Sequence, residues 1–192
     1  STRFALIAVV PLLFTVPLPA GAEEIHGDSH DDHQHNTSLG LNSLDSLTRG
    51  MSNTAIGSYA LTRNLTGSYN TAVGASALLM NSTGEDNTAI GSSAMYGNKT
   101  GFANTAIGSE ALPRNITGSK NTAIGSGALH LNRGGNYNTA VGYLALKKND
   151  TGKINTALGK EALRDNKTGN QNTALGARAG CFTNGSRNIF LG

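Results

Sequence analysis

Residues 104–120 read NTAIGSEALPRNITGSK, and residues 121–125 open the same phrase again with NTAIG. The string Asn-Thr-Ala-(Ile/Val/Leu)-Gly starts at Asn53, Asn70, Asn87, Asn104, Asn121, Asn138, Asn155 and Asn172, 17 residues apart each time. Self-similarity at a fixed period is the signature of a repeat architecture. The unit is N-T-A-[IVL]-G-x-x-A-[LM]-x-x-N-x-T-G-x-x, with positions numbered one to seventeen. One period before Asn53, Asn36 opens the degenerate copy NTSLG; 16 residues after Asn172, Asn188 opens NIFLG. Nine units and the first strand of a tenth therefore fill residues 36–192, with 36–52 a degenerate capping coil.

The first five positions are too short for a helix and suit a strand. Alternation puts Thr and the aliphatic residue on one face, with Asn, Ala and Gly on the other. The aliphatic face, Thr included, is expected to be buried. The glycine that follows, at Gly57, Gly74, Gly91, Gly108, Gly125, Gly142, Gly159 and Gly176, marks a bend with positive φ or no room for a Cβ. The Ala-Leu pair at positions eight and nine, as in Ala60-Leu61 and Ala162-Leu163, predicts a second short strand or tight bend with both residues inward. The N-x-T-G segment, as in Asn64-Leu65-Thr66-Gly67, has turn chemistry because Asn and Gly tolerate left-handed backbone.

One such unit cannot fold alone. Two aliphatic side chains contribute about 1.5–3 kcal/mol each on burial, against roughly 1–2 kcal/mol of backbone entropy for every residue ordered. Stacking removes the deficit, since each unit then hydrogen-bonds to the units above and below. The expected fold is all-β: a parallel β-solenoid of nine 17-residue coils. At about 4.8 Å per coil it forms a rod about 43 Å long. The Asn column becomes an amide ladder through Asn53, Asn70, Asn87, Asn104, Asn121, Asn138, Asn155 and Asn172. Helical solenoids and leucine-rich horseshoes have longer repeats of roughly 20–47 residues, and two glycines per unit would break helices.

Composition agrees. The 192 residues include 25 Gly and 21 Asn, no Trp, one Cys, 5% aromatic and 14% charged residues, with net charge +3. Charge is well below the usual quarter of a globular chain. A single cysteine excludes an internal disulfide framework and CxxC metal sites. In the eight regular units, charge is confined to positions six, seven, ten, eleven, thirteen, sixteen and seventeen, as at Glu110, Arg114, Lys120, Lys147, Lys148, Lys160 and Arg164. Both faces of the strand are thus small or apolar. That pattern predicts that one face closes the coil and the other meets a neighbouring chain; small residues suited to the bends of a narrow coil are the alternative.

The pattern S/N-x-A-I-G-x-x-A, carried by residues 36–192, resembles the head repeats of trimeric autotransporter adhesins, the YadA-like head, and related trimeric fibre proteins. The resemblance implies a left-handed parallel β-roll, three chains side by side, an extracellular location and surface adhesion. Two features depart from it. The 17-residue unit is longer than the family's usual one, so the turn at Asn64-Leu65-Thr66-Gly67 is expected to be an enlarged outer loop. No stalk heptads or anchoring barrel accompany the repeats. An uncovered strand over residues 188–192 would be an open edge, so either more chain or another subunit is expected to cover it.

Residues 1–22 read as a secretory signal or a retained hydrophobic segment. Arg3 precedes an apolar run over 4–18, and Ala20-Gly21-Ala22 is an A-x-A site. Pro11, Pro17 and Pro19 argue against a spanning helix, so any membrane contact is expected only through this segment, if it is retained. Residues 23–35 carry five acidic residues with His26, His30, His33 and His35. This composition suits either a solvated linker or a divalent-metal cluster of Zn, Ni or Cu. From residue 53 onward, 13 Lys and Arg face 6 acidic residues, a net of +7, which opposes the acidic leader.

Sequons at Asn36, Asn64, Asn81, Asn98, Asn115, Asn149, Asn166 and Asn184 follow from the repeat and need no glycans to explain them. Cys181 reads as a free buried thiol and His130 as a lone turn residue without a partner. No nucleophile, base and orienter set is present, no GK[ST] phosphate loop exists, and the basic residues lack aromatic interleaving for nucleic acid. The expected role is a non-enzymatic, cofactor-free structural or adhesive protein, secreted or on a bacterial surface. Its expected partners are copies of itself, in a homotrimer or filament, and a host or matrix ligand. An ice-binding solenoid with a Thr ladder and a metal-sequestering leader are the alternatives.

Overall fold

The computed structural model describes residues 34–192. The strands are β1 (Thr37–Leu39), β2 (Thr54–Ile56), β3 (Thr71–Val73), β4 (Thr88–Ile90), β5 (Thr105–Ile107), β6 (Thr122–Ile124), β7 (Thr139–Val141), β8 (Thr156–Leu158), β9 (Thr173–Leu175) and β10 (Ile189–Leu191). They form one parallel sheet in chain order. Register is one 17-residue repeat from β1 to β9, so Thr54 lies beside Thr71, Ala55 beside Ala72 and Ile56 beside Val73; β9 and β10 pair at an offset of 16, Thr173 beside Ile189. Hydrogen bonds between coils also run outside the strands, for example Leu61 N–H to Ala77 O at 3.0 Å and Tyr69 N–H to Met51 O at 2.9 Å. The chain is a β-solenoid of stacked 17-residue coils.

The coil closes by an uncommon backbone device. Position seven, nine or seventeen holds a non-glycine residue with left-handed φ in nearly every coil, as at Tyr59 (62°), Leu61 (50°) and Tyr69 (59°). Left-handed backbone is costly for such residues, and inter-coil hydrogen bonding sustains it. At position five the glycines are more extreme, with φ from 121° at Gly125 to 135° at Gly159, a region closed to L side chains. A Cβ on Gly142 would also lie 2.6 Å from the carbonyl carbon of Gly159 in the next coil. Both halves of the expectation for this column hold.

The lumen is lined by Ala at positions three and eight and by Leu or Met at position nine. Ala106, Ala111 and Leu112 are fully buried in one coil; Ala89, Ala94 and Met95 are buried in the coil before it. The expectation that the Thr-aliphatic face is buried is overturned. In every strand the central residue is the most buried, and Thr and Ile, Val or Leu flank it on the outside. A coil layer is only about 4.8 Å thick. One Leu from the left-handed bend fills it beside two alanines, which leaves no room for a second large side chain.

The N-x-T-G segment faces outward only at its two middle residues, as at Leu65 and Thr66, while its Asn and Gly turn inward. Asn64, Asn81, Asn98, Asn115, Asn132, Asn149 and Asn166 are fully buried, and neither they nor the following glycines adopt positive φ. Their amides turn inward as a second ladder: Asn81 Nδ2 donates to Asn64 Oδ1 at 2.8 Å and to Gly84 O at 2.9 Å. The glycine at position fifteen is required by space. A Cβ on Gly118 would meet Asn115 Oδ1 at 2.3 Å and Gly135 O at 2.5 Å.

The last described coil departs from the pattern in two linked places. Gly180 stands where other coils place Leu, and Phe190 stands where other strands place Ala. A Cβ on Gly180 would lie 2.5 Å from the Phe190 ring, and Phe190 packs against the core. One substitution vacates the volume that the other fills.

Candidate interaction face and side-chain ladders

The first Asn ladder forms as expected, through Asn53, Asn70, Asn87, Asn104, Asn121, Asn138, Asn155 and Asn172. Asn104 Oδ1 accepts from Asn121 N–H at 3.0 Å and from Asn121 Nδ2 at 3.1 Å. Asn104 Nδ2 in turn donates to Asn87 Oδ1 at 3.0 Å and to Gly118 O at 2.9 Å. Gly118 O also accepts from Asn115 Nδ2 at 2.7 Å, so one carbonyl ties the two ladders together in each coil. Buried amides are tolerated because, past the first rung of each ladder, both amide hydrogens are placed. The second ladder ends at Asn166, whose Oδ1 has no partner, because Thr183 occupies the next position in place of Asn. Six of the eight sequon asparagines (Asn64, Asn81, Asn98, Asn115, Asn149 and Asn166) are spent in this ladder, and Asn184 is exposed.

The sheet's outer face is a regular surface that runs through all ten strands. Its two columns are Thr at the first strand position, replaced by Ile189 in β10, and aliphatic residues at the third: Leu39, Ile56, Val73, Ile90, Ile107, Ile124, Val141, Leu158, Leu175 and Leu191. No strand residue carries a charge. Ile107 is 37% exposed and Leu175 50%, so a continuous apolar stripe is open along ten rungs. Contiguous apolar surface of this kind marks interaction sites. Alternation in the sequence groups these residues, but nothing in it shows that this group faces out.

Charged side chains decorate the other positions. Arg164 holds Asp165 at 3.1 Å and Glu161 at 3.0 Å, and Lys148 adds a 3.0 Å contact to Asp165. Hydrogen bonds from Arg164 and then Lys148 pull the Asp165 carboxyl from its ordinary 3.8 down to about 2. A depressed acid stabilises the fold above its unfolded pKa, and that stabilisation is lost as pH falls. Asp165→Asn should therefore shrink the drop in melting temperature between about pH 4 and pH 2, as followed by circular dichroism, and an unchanged acid limb would refute the assignment. Lys120 Nζ sits over the Tyr137 ring at 5.1 Å and the Phe102 ring at 5.8 Å, joining three successive coils.

His130 is not the partnerless residue expected. Its Nδ1 lies 3.6 Å from Glu110 Oε2. Burial lowers its pKa, against the pull of Glu110. Cys181 is a free buried thiol. Of the candidate metal ligands, His35 is exposed, and His26, His30 and His33 lie outside the described residues. Among the described residues no group of three metal-binding side chains occurs, and no helix is long and apolar enough to cross a membrane. Comparison with family models, curated proteins and solved structures finds no match for the chain.

Proposed function

We propose that the chain is an extracellular structural or adhesive rod that assembles with copies of itself through the Thr-aliphatic face, as a homotrimer or filament, and displays its variable positions to a host or matrix surface. The observation that carries this is the uncharged, exposed stripe repeated without interruption over ten strands. An identical copy shares its pitch, so contacts made at one rung recur at every other. Burying one methylene-sized group per rung contributes about 0.8 kcal/mol. Over ten rungs this sums to about 8 kcal/mol, comparable to the cost of association. The resemblance of the NTAIG repeats to trimeric adhesin heads supports the extracellular setting.

Light-scattering mass measurement of the purified chain, with electron microscopy, tests the reading. A trimer or longer polymer is expected. Ile107→Lys places a charge in the middle of the stripe and should yield monomers with unchanged circular dichroism. A monomeric unaltered chain without filaments would overturn the proposal.

A second reading draws on the same surface. The outward Thr column, in register from β1 to β9, restores the ice-binding alternative, since those residues are exposed or half-buried along the sheet. Thermal hysteresis in dilute solution that Thr105→Lys abolishes would favour it; none is expected from a self-association face.

A further inference from the structure

One boundary between coils breaks the pattern. In the described coils the N–H at position eleven donates to the carbonyl at position ten of the next coil, as from Gly97 to Pro113 O at 2.8 Å and from Leu131 to Lys147 O at 2.9 Å. Arg114 N–H makes no such bond to His130 O. Pro113 stands at position ten of this coil. In four described coils the N–H at position ten turns back on position seven, as from Arg164 to Glu161 O at 3.2 Å. Proline has no N–H to donate, and the His130 imidazole lies against Glu110, with Nδ1 3.6 Å from Oε2. The neighbouring bond from Asn115 N–H to Leu112 O also stretches to 3.4 Å, against 3.1 Å for Asn132 to Leu129.

At this boundary lies a notch of about 340 Å³ lined by Ser93, Tyr96, Glu110, Pro113, Arg114 and His130. It lies at positions seven, ten and eleven, away from the Thr-aliphatic face. Its chemistry is asymmetric, unlike that of the repeat around it. Arg114 is exposed and no ion pair holds its guanidinium, although Glu110 is close by and pairs with His130. Tyr96 is half-exposed and Pro113 is buried. Ser93 adds a hydroxyl, and burial favours the neutral form of His130.

We propose that this notch binds one carboxylate-bearing sugar ring, a uronate residue of an acidic saccharide. A planar, unpaired guanidinium matches a carboxylate in bidentate geometry. Glu110 and Ser93 accept and donate hydrogen bonds to ring hydroxyls. The Tyr96 ring and Pro113 offer an apolar surface to the sugar's C–H face. The volume is at the small end of ligand sites and suits a single ring. The proposal stands apart from self-association, since no residue of the outer face is used.

Calorimetric titration of the full chain with methyl glucuronide and methyl galacturonide, beside methyl glucoside and acetate, tests it. At least one uronide should bind about tenfold more tightly than both the neutral glycoside and acetate, a difference of about 1.4 kcal/mol. Arg114→Gln should reduce the uronide to the glycoside's level, and Tyr96→Ala should weaken all the sugars, both with unchanged melting temperature and assembly mass. Equal binding of glucoside, binding of acetate as tight as that of the uronides, or no heat with any ligand would each overturn the assignment.

Discussion

Gly142→Ala should split the solenoid's thermal unfolding into two transitions and lower the first by more than 10 °C. A new Cβ would lie 2.6 Å from both the carbonyl carbon and oxygen of Gly159 and 3.0 Å from Lys160 N. These are backbone atoms of the stacked coil, so relief requires the coils to separate. The φ of 132° adds strain, since it lies outside the left-handed region that L residues occupy. Together the two terms amount to about 4 kcal/mol or more, the range of severe single substitutions. For a chain of this size each kcal/mol shifts the midpoint by about 2–4 °C. Stability in stacked repeats is a sum of nearest-neighbour contacts, so a fault at the seventh coil uncouples the coils before it from those after it. Gly134→Ala is the control. Position fourteen carries Thr in the neighbouring coils, and a Cβ there would meet only Thr117 Oγ1 at 3.5 Å. That change should be neutral or stabilise by up to about 1 kcal/mol. A single, unshifted transition for Gly142→Ala, followed by circular dichroism and hydrogen exchange, would remove the steric account of the bend column.

Asn104→Leu should cost about 2–6 kcal/mol, although leucine has nearly the same volume. It leaves Asn121 N–H and one Asn121 Nδ2 hydrogen without their acceptor in a fully buried layer, and each orphaned donor costs about 1–3 kcal/mol. Gly118 O keeps its bond from Asn115, which limits the loss. Asn104→Asp separates hydrogen bonding from shape. It keeps the acceptor toward Asn121 but turns a carboxylate oxygen on Asn87 Oδ1 and Gly118 O, two acceptors. The folded state then favours the protonated acid, with a pKa raised above the unfolded value of about 3.9. The stability gap from the unaltered chain should therefore be small near pH 3 and widen as pH rises past about 4. Melting temperatures measured in parallel for both chains check this; a gap independent of pH would show that the ladder tolerates charge.

The second ladder shows where the linear pattern falls short. Asn64 and Asn53 both recur every 17 residues, and both end as buried amides bonded to the same residue one coil away. Asn53 sits in a strand-like phrase, so an inward amide is legible there. Asn64 sits in N-x-T-G, which reads as an exposed turn by local chemistry. Its burial depends on Gly67 O, which accepts from both asparagines, a meeting of two columns 11 positions apart in the unit. The left-handed φ at Leu61 and its counterparts has no local signal either, because leucine does not favour it; bonds between coils impose it. The notch at His130 was equally hidden. Pro113 is visible in the sequence, but the residues that line the notch with it come from three successive coils.

The sequence by itself determined the period, the parallel in-register stacking, the Asn53-to-Asn172 ladder and the need for glycine at the bend. Each follows from a column repeated at constant spacing, and stacking turns that spacing into contact. It also showed which residues share a face of the strand. Only the tertiary structure decided which face encloses the lumen. Alternation is symmetric with respect to inside and outside, and hydrophobicity alone favours the aliphatic column. The lumen, already filled by Leu112 and its counterparts from the bend, has room for alanine and not for isoleucine. Packing volume therefore turns Thr105 and Ile107 outward, and the surface most able to bind a partner is the one that hydrophobicity would have buried.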